Sequence, residues 1–242
     1  VTDTDGGDGQ TGTIDSYLWK FWGTAQEDLG NDNVYHYTDE ALWAIGHEGS
    51  RLVVEDTNGG EDWLNLSAMT APSLRIDLNP SEASYVQTSG FGRDVIAGQA
   101  FMVMQAGTPT IENVITSDGD DIIIGNSLAN KLFGMRGDDV YHVQSQEDEV
   151  HEFAGQGNDT VVASGDYTLA EGTHVEVIRV ADSVSGTIIG ANSFGQKMIG
   201  NNSSDTFKPG SGVDEIDGKG DSDTVDYSAS AARISVNLTT GI

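Results

Sequence analysis

The sequence predicts an all-β protein: a parallel β-roll, or β-solenoid, of nonapeptide repeats, in two arrays with irregular β insertions. Residues 116–142 read as three consecutive nonapeptides, TSDGDDIII, GNSLANKLF and GMRGDDVYH. Their sixth place holds Asp121, Asn130 and Asp139. Their eighth place holds an apolar or aromatic residue each time: Ile123, Leu132 and Tyr141. A polar and an apolar periodicity in phase are typical of a solenoid in which every coil repeats one turn and one strand.

Each nonapeptide is predicted to form a turn and then a short strand. Places one to five make the turn, in which Gly119 and Gly137 at place four supply backbone freedom that a Cβ would restrict. Places six to nine make the strand, with the sixth-place carboxylate facing the line of turns and the eighth-place residue facing the core. If two nonapeptides make one coil, residues eighteen apart stack, and Asp121 lies over Asp139.

Stacked carboxylates, together with the carbonyls of their turns, can enclose a hard cation. Calcium accepts roughly six to eight oxygens in flexible geometry, whereas magnesium requires a stricter octahedron and keeps its waters. The donor set therefore favours several calcium ions. An alternative stays open: the aspartates of the solenoid can bridge its turns solely by hydrogen bonds to backbone amides.

The segment from Val54 to Val143 carries a longer pattern: EDTNGGEDWLNLSA, then RIDLNPSEAS, then TIENVITSDGDDIIIGNSLANKLFGMRGDDVY. This order resembles the C-terminal domain of serralysin-type metalloproteases, and its nonapeptides resemble the RTX calcium-binding β-roll. The resemblance implies a non-catalytic calcium-binding module of a secreted protein, with Asp121 and Asp139 at ligand positions. The middle nonapeptide departs from the pattern at Leu128 and Asn130, so its turn is expected to be a weak or an empty site.

A second array follows residue 143. Asp159, in GNDT, keeps the order of the repeat but lies two residues out of phase with Asp139, so a bulge or loop must absorb the shift. From residue 200 the nonapeptides GNNSSDTFK, PGSGVDEID and GKGDSDTVD place three more acids at the sixth place: Asp205, Asp214 and Asp223. The first and last of these are eighteen residues apart and form a second stacked pair.

The N-terminal part is less periodic. Residues 1–13 are predicted to be an acidic linker or frayed turn, and SYLWKFW at residues 16–22 is expected to cap the roll, although such aromatics can also stack on sugars. Residues 39–45 are a candidate short helix, and the periodicity lapses over residues 79–105. Asp62 falls at the sixth place of a degenerate repeat, with Asp32 or no residue as its partner.

These observations predict three regions. Residues 1–50 form a capping or linker region with the aromatic cluster, residues 51–143 a serralysin-like β-roll, and residues 144–242 a second RTX-like β-roll.

Composition limits the possible partners. The formal net charge of −28 argues against nucleic acid and anionic membranes and for cations. The chain has no cysteine, so in an extracellular protein calcium would take the stapling role of disulfides. We see no pattern of a signal peptide or membrane span and expect the chain to be a piece of a longer protein. The resemblance implies an extracellular location after one-step, type I secretion.

The residues indicate no catalytic constellation. A zinc protease would carry H-E-x-x-H, but His47 is followed by Arg51 and His151 by Gly155 at the position of the second histidine. We therefore predict a non-catalytic module. Two alternatives remain: a carbohydrate-binding module of an extracellular polysaccharide-active enzyme, with extracellular polysaccharide as its partner, or a surface adhesin segment. An unrecognised enzyme within residues 1–110 is the least favoured.

Overall fold

The computed structural model describes residues 25–28, 33–38, 52–54, 59–70, 73–86, 100–107 and 110–230. These residues form strands β1 to β20, and no helix occurs among them. The first strands are β1 (Ala25–Asp28), β2 (Asn33–Thr38), β3 (Leu52–Val54), β4 (Trp63–Ala68), β5 (Leu74–Asp77), β6 (Ala83–Val86) and β7 (Ala100–Met104). The next are β8 (Asn113–Ile115), β9 (Ile122–Ile124), β10 (Lys131–Phe133), β11 (Val140–Val143), β12 (Glu149–His151), β13 (Thr160–Ala163) and β14 (Tyr167–Thr168). The last are β15 (Val177–Val180), β16 (Ile188–Gly190), β17 (Lys197–Ile199), β18 (Thr206–Lys208), β19 (Glu215–Asp217) and β20 (Thr224–Val225).

From β8 onward, consecutive strands alternate between two walls of a flattened roll. One wall is a ten-stranded sheet in the order β19-β17-β15-β13-β11-β9-β5-β6-β7-β3. The other is divided into a six-stranded sheet, β1-β2-β4-β8-β10-β12, and a four-stranded sheet, β14-β16-β18-β20. Strands of the repeat pair in parallel with strands one coil away, which confirms the predicted all-β parallel β-solenoid.

The registers show where the repeat is regular and where it is not. Val140 pairs with Ile122, eighteen residues earlier, as the nonapeptide phase predicted. Val140 also pairs with Thr160, twenty residues later, because the connection from β12 to β13 is two residues longer than the one from β10 to β11. The shift at Asp159 is therefore absorbed in the turn at residues 152–159.

The core is a column of eighth-place side chains between the two walls. Its members are almost fully buried: Ile123, Leu132, Tyr141, Val150, Val161, Ile178, Ile189, Met198 and Phe207. Burial of one large apolar side chain stabilises the fold by about 1.5–3 kcal/mol, so this column supplies much of the stability of each coil. The sixth-place side chains also face inward, since they precede the eighth place by two residues on a strand.

The less periodic segments are described in part. Residues 79–105 contain the strands β6 and β7, which pair antiparallel to each other. The predicted aromatic cap at residues 16–22, the candidate helix at 39–45 and the closing residues 231–242 lie outside the described residues. The ten-stranded sheet continues across residue 143, and the division of the chain into three regions stays a prediction.

Candidate metal centre

The sixth-place acids of the ten-stranded wall form one ladder along the roll. The amide nitrogen of Asp121 donates to Oδ1 of Asp139 at 2.7 Å, and the amide of Asp139 donates to Oδ1 of Asp159 at 2.9 Å. The ladder begins at Leu74, whose amide donates to Asp121 Oδ1, and ends with the amide of Asp159 donating to Glu176 Oε2. Each acid therefore accepts a hydrogen bond from the preceding coil, which locks neighbouring coils in register.

Glycines let the turns beside this ladder approach closely. Gly137 has a φ of +129°, and a Cβ at Gly137 would collide with the backbone carbonyl of Gly119. A Cβ at Gly157 would in turn collide with the carbonyl oxygen of Gly137. Glycine carbonyls thus lie against the turn of the next coil. The predicted turn residues Gly119 and Gly137 are stacked on each other, as are Asp121 and Asp139.

Burial controls the electrostatics of the ladder. Removal from water raises the pKa of Asp121 to about 7 and that of Asp139 to about 8, although backbone amides lower both. The pKa of Asp159 rises to about 6, chiefly through burial and then through the charges of Glu176 and Asp138. A column of buried acids with raised pKa values needs protons or a cation to offset its charge near neutral pH.

Three of the buried acids converge on one point inside the roll. One oxygen each of Asp139, Glu152 and Asp159 lies within 4.8 Å of the others. Each of these residues also has one oxygen (Asp139 Oδ2, Glu152 Oε2 and Asp159 Oδ2) that is buried and has no hydrogen-bond partner among the described residues. Burial raises the pKa of Glu152 to about 8. The nonapeptide pattern did not predict Glu152, which in the sequence is only the glutamate of the incomplete H-E-x-x-H string that begins at His151.

A different arrangement holds the turn at Asn130. Its Oδ1 accepts from the amide of Asn126 at 2.7 Å, and its Nδ2 donates to the carbonyl of Glu112 at 2.8 Å. Asn126 donates through its own side chain to the carbonyls of Leu78 and Ile111. Side-chain amides therefore hold this turn, and the expectation of a weak or empty metal site there stays a prediction.

The same arrangement of side-chain amides, which we call an asparagine corner, recurs later in the chain. The amide of Asn192 donates to Gln196 Oε1 at 3.3 Å, and Gln196 Nε2 donates back to Asn192 Oδ1 at 2.8 Å. Asn201 and Asp205 repeat the four-residue spacing. An asparagine four residues before the sixth place is a sequence signal for this corner, and the repeat pattern alone did not reveal it.

The remaining predicted acids occupy defined rungs. The amide of Asp205 donates to Asp223 Oδ1 at 3.0 Å, so the second eighteen-residue pair is stacked as expected. Asp214 accepts from the amide of Gln196 and lies on the ten-stranded wall. Asp62 is buried, and its amide donates to Glu112 Oε2. Asp32, its predicted partner, lies outside the described residues, so that expectation stays a prediction. Glu112 occupies the sixth place one coil later.

No family model matches the chain. Over 107 residues, which are 42% of this chain, it is 35% identical to serralysin from Photorhabdus laumondii, and the figures for serralysin from Photorhabdus luminescens are the same. Over 99 residues it is 33% identical to the endo-1,3-1,4-beta-glycanase ExsH from Rhizobium meliloti. The chain resembles serralysin over part of its length, and its fold is a β-roll. It spans about a fifth of the length of these curated relatives.

No helix within the described ranges has the length and apolar character needed to cross a membrane.

Proposed function

We propose that this chain is a calcium-binding, calcium-folded and non-catalytic β-roll module of a secreted RTX-type protein. The observation that carries the proposal is the ladder of Asp121, Asp139 and Asp159, whose buried carboxylates stack beside glycine turns. Carboxylate and carbonyl oxygens are the ligands that calcium prefers, at about 2.3–2.6 Å. The partial similarity to serralysins supports the same assignment.

The hydrogen-bonded ladder does not by itself account for these side chains. Each bond to a backbone amide uses one carboxylate oxygen, and Asp139 Oδ2 and Asp159 Oδ2 remain buried with no partner in the described part of the chain. An unsatisfied buried polar atom costs about 1–3 kcal/mol. A bound cation removes this cost and offsets the repulsion between the acids, so the donor set fits calcium.

Calcium then acts as the folding switch. With little calcium, as in a cytosol, stacked carboxylates and a net charge of −28 oppose the compact roll. Outside the cell, calcium fills sites whose dissociation constants in extracellular modules are on the order of 10⁻⁴–10⁻³ M. The free energy of metal binding becomes free energy of folding. This mechanism suits export of an unfolded chain by one-step, type I secretion.

The test is a calcium titration of the chelator-treated chain, followed by far-ultraviolet circular dichroism, with magnesium as the control. We expect a cooperative gain of β-sheet signal with calcium alone. Full β-sheet signal in chelator, unchanged by calcium, would reduce the ladder to a hydrogen-bonding scaffold and refute the proposal.

A second candidate function is binding of an extracellular polysaccharide. The specific observation is a row of half-buried rings on the six-stranded sheet: Trp63 lies 5.9 Å from Phe133, which stacks on His151 at 4.2 Å. The partial similarity to a glycanase is consistent with this candidate. Retardation in a β-glucan affinity gel that is lost in Trp63→Ala, with calcium binding intact, would favour it. The same test applies to Trp19→Ala in the aromatic cluster.

A further inference from the structure

Glu152 occupies a place that the repeat gives to glycine. It lies eighteen residues after Gly134, the first residue of the third nonapeptide, and its side chain is buried. A Cβ at Gly134 would collide with Asp139 Oδ2 and with the Tyr141 hydroxyl, so the space over Gly134 is already filled by these groups. Glu152 enters the same region from the next coil.

Tyr141 and Glu152 are matched to each other. Tyr141 is a fully buried eighth-place residue, and its hydroxyl donates a hydrogen bond to Glu152 Oε1. The other oxygen, Glu152 Oε2, is buried and has no hydrogen-bond partner among the described residues. The tyrosine thus holds one carboxylate oxygen of Glu152 and leaves the other available to a ligand.

The distances among the three acids suit one cation. Asp139 and Asp159 immediately precede β11 and β13, while Glu152 follows β12 on the opposite wall. One oxygen of each lies within 4.8 Å of the others. Two ligands on opposite sides of a calcium ion with bonds of about 2.4 Å are also roughly 4.8 Å apart. Ligands that form a smaller angle at the ion lie closer together than this.

The charge around this cluster also favours a cation. Asp139, Glu152 and Asp159 are all almost fully buried. The ion pairs found among the described residues (Arg75–Asp77, Lys131–Glu61, Arg136–Asp118, His151–Glu149, Lys197–Glu215 and Lys219–Asp217) do not include any of the three. The charges that act on Asp139 and Glu152 come from other acids.

We propose that Asp139, Glu152 and Asp159 together bind one divalent cation of the calcium class, inside the coil that is two residues longer because of the turn at residues 152–159. Glu152 is a ligand that the nonapeptide pattern does not contain, and Tyr141 is its positioning residue. This inference rests on the proposed function for two of its ligands, because Asp139 and Asp159 also belong to the ladder.

The first experiment measures calcium stoichiometry of the full chain by isothermal titration calorimetry for the parent, Glu152→Gln and Glu149→Gln. Glu149 is exposed on the outer side of β12 and provides the matched control. We expect Glu152→Gln to lose one calcium equivalent, or to bind it at least tenfold more weakly, and to retain calcium-induced β-sheet signal. Unchanged binding in Glu152→Gln would overturn this inference alone. Absence of calcium-induced folding in the parent would instead overturn the proposed function.

A second measurement covers the case in which Glu152→Gln does not fold. Terbium binds at calcium sites, and its luminescence is sensitised by a tyrosine close to the ion. Tyr141→Phe should lose most of the tyrosine-sensitised emission, whereas Tyr167→Phe, which removes another buried tyrosine, should retain it. Equal emission from the two variants would contradict a cation beside Tyr141.

Discussion

Asp121 and Asp139 are joined across the boundary between two coils: the amide nitrogen of Asp121 lies 2.7 Å from Oδ1 of Asp139. The ladder therefore has a direction, with each acid accepting from the coil before it. The exposed acids one residue earlier in the sequence, Asp120 and Asp138, accept from the coil after them instead. The amide of Asp138 donates to Asp120, and the amide of Asn158 donates to Asp138. Neighbouring aspartates thus stabilise the same turns from the inside and from the outside.

Asp139→Ala should weaken calcium binding more than Asp138→Ala. Asp139 is buried and has an unpaired oxygen beside two other acids, whereas Asp138 is exposed to water, which replaces its hydrogen bonds. We expect a loss of at least tenfold in affinity for Asp139→Ala and less than threefold for Asp138→Ala, measured by calorimetry, in keeping with about 1–3 kcal/mol for a buried charged contact. Equal losses of calcium affinity in the two variants would mean that Asp139 is not the residue that faces the bound ion.

Gly157→Ala should destabilise the roll more than Gly172→Ala. A Cβ at Gly157 would collide with the carbonyl of Gly137, so the stacked turns must separate. Gly172 has a φ of +89° and no neighbour within 4 Å, so alanine there meets only the backbone strain of roughly 1–2 kcal/mol. Thermal unfolding in saturating calcium should show the lower Tm for Gly157→Ala. The reverse order would argue against close stacking of the turns at 137 and 157.

The nonapeptide pattern was sufficient to predict the fold and one ladder, because a constant coil of eighteen residues places Asp121 over Asp139. It failed where the coil length changes. Glu176 joins the ladder seventeen residues after Asp159, and Glu152 enters the core at a place where the pattern has glycine. Such substitutions become visible only when packing brings residues from both walls together, since no local periodicity connects them.

Asparagine corners were missed for a different reason. Asn126 and Asn130 bond to each other and to carbonyls of the preceding coil, a contact between segments that are far apart in sequence. Compared with the repeat pattern, the asparagine at the sixth place only lacks the expected carboxylate. In the folded roll it is a donor that a carboxylate cannot replace.

Asn130→Asp should therefore destabilise the calcium-bound roll. The substitution removes the Nδ2 donor and places a carboxylate oxygen against the carbonyl of Glu112. Loss of a buried hydrogen bond with an unsatisfied partner costs about 1–3 kcal/mol. Urea unfolding in saturating calcium should show this loss, and Asn158→Asp, at an exposed turn position, should show little change. Equal stability of Asn130→Asp and the parent would indicate that the amide corner contributes nothing.

The stability of the calcium-free chain should fall as the pH rises. Burial raises the pKa of Asp139 from 3.8 to about 8 and that of Glu152 from 4.5 to about 8. The folded state then binds more protons than the unfolded state between these values, so the free energy of unfolding decreases from about pH 4 to about 8. Below this range both states are protonated and the contribution is fully present.

Calcium should reverse this dependence, because the metal binds only deprotonated carboxylates and its binding releases protons. The measurement is the β-sheet signal in far-ultraviolet circular dichroism across this pH range, in chelator and in excess calcium, for the parent and for Asp139→Asn. The amide cannot ionise, so the variant should have a shallower fall in chelator and a smaller gain from calcium at high pH. A calcium-free parent that becomes more stable as the pH rises would show that these acids are ionised in the folded chain without a cation, contrary to their burial.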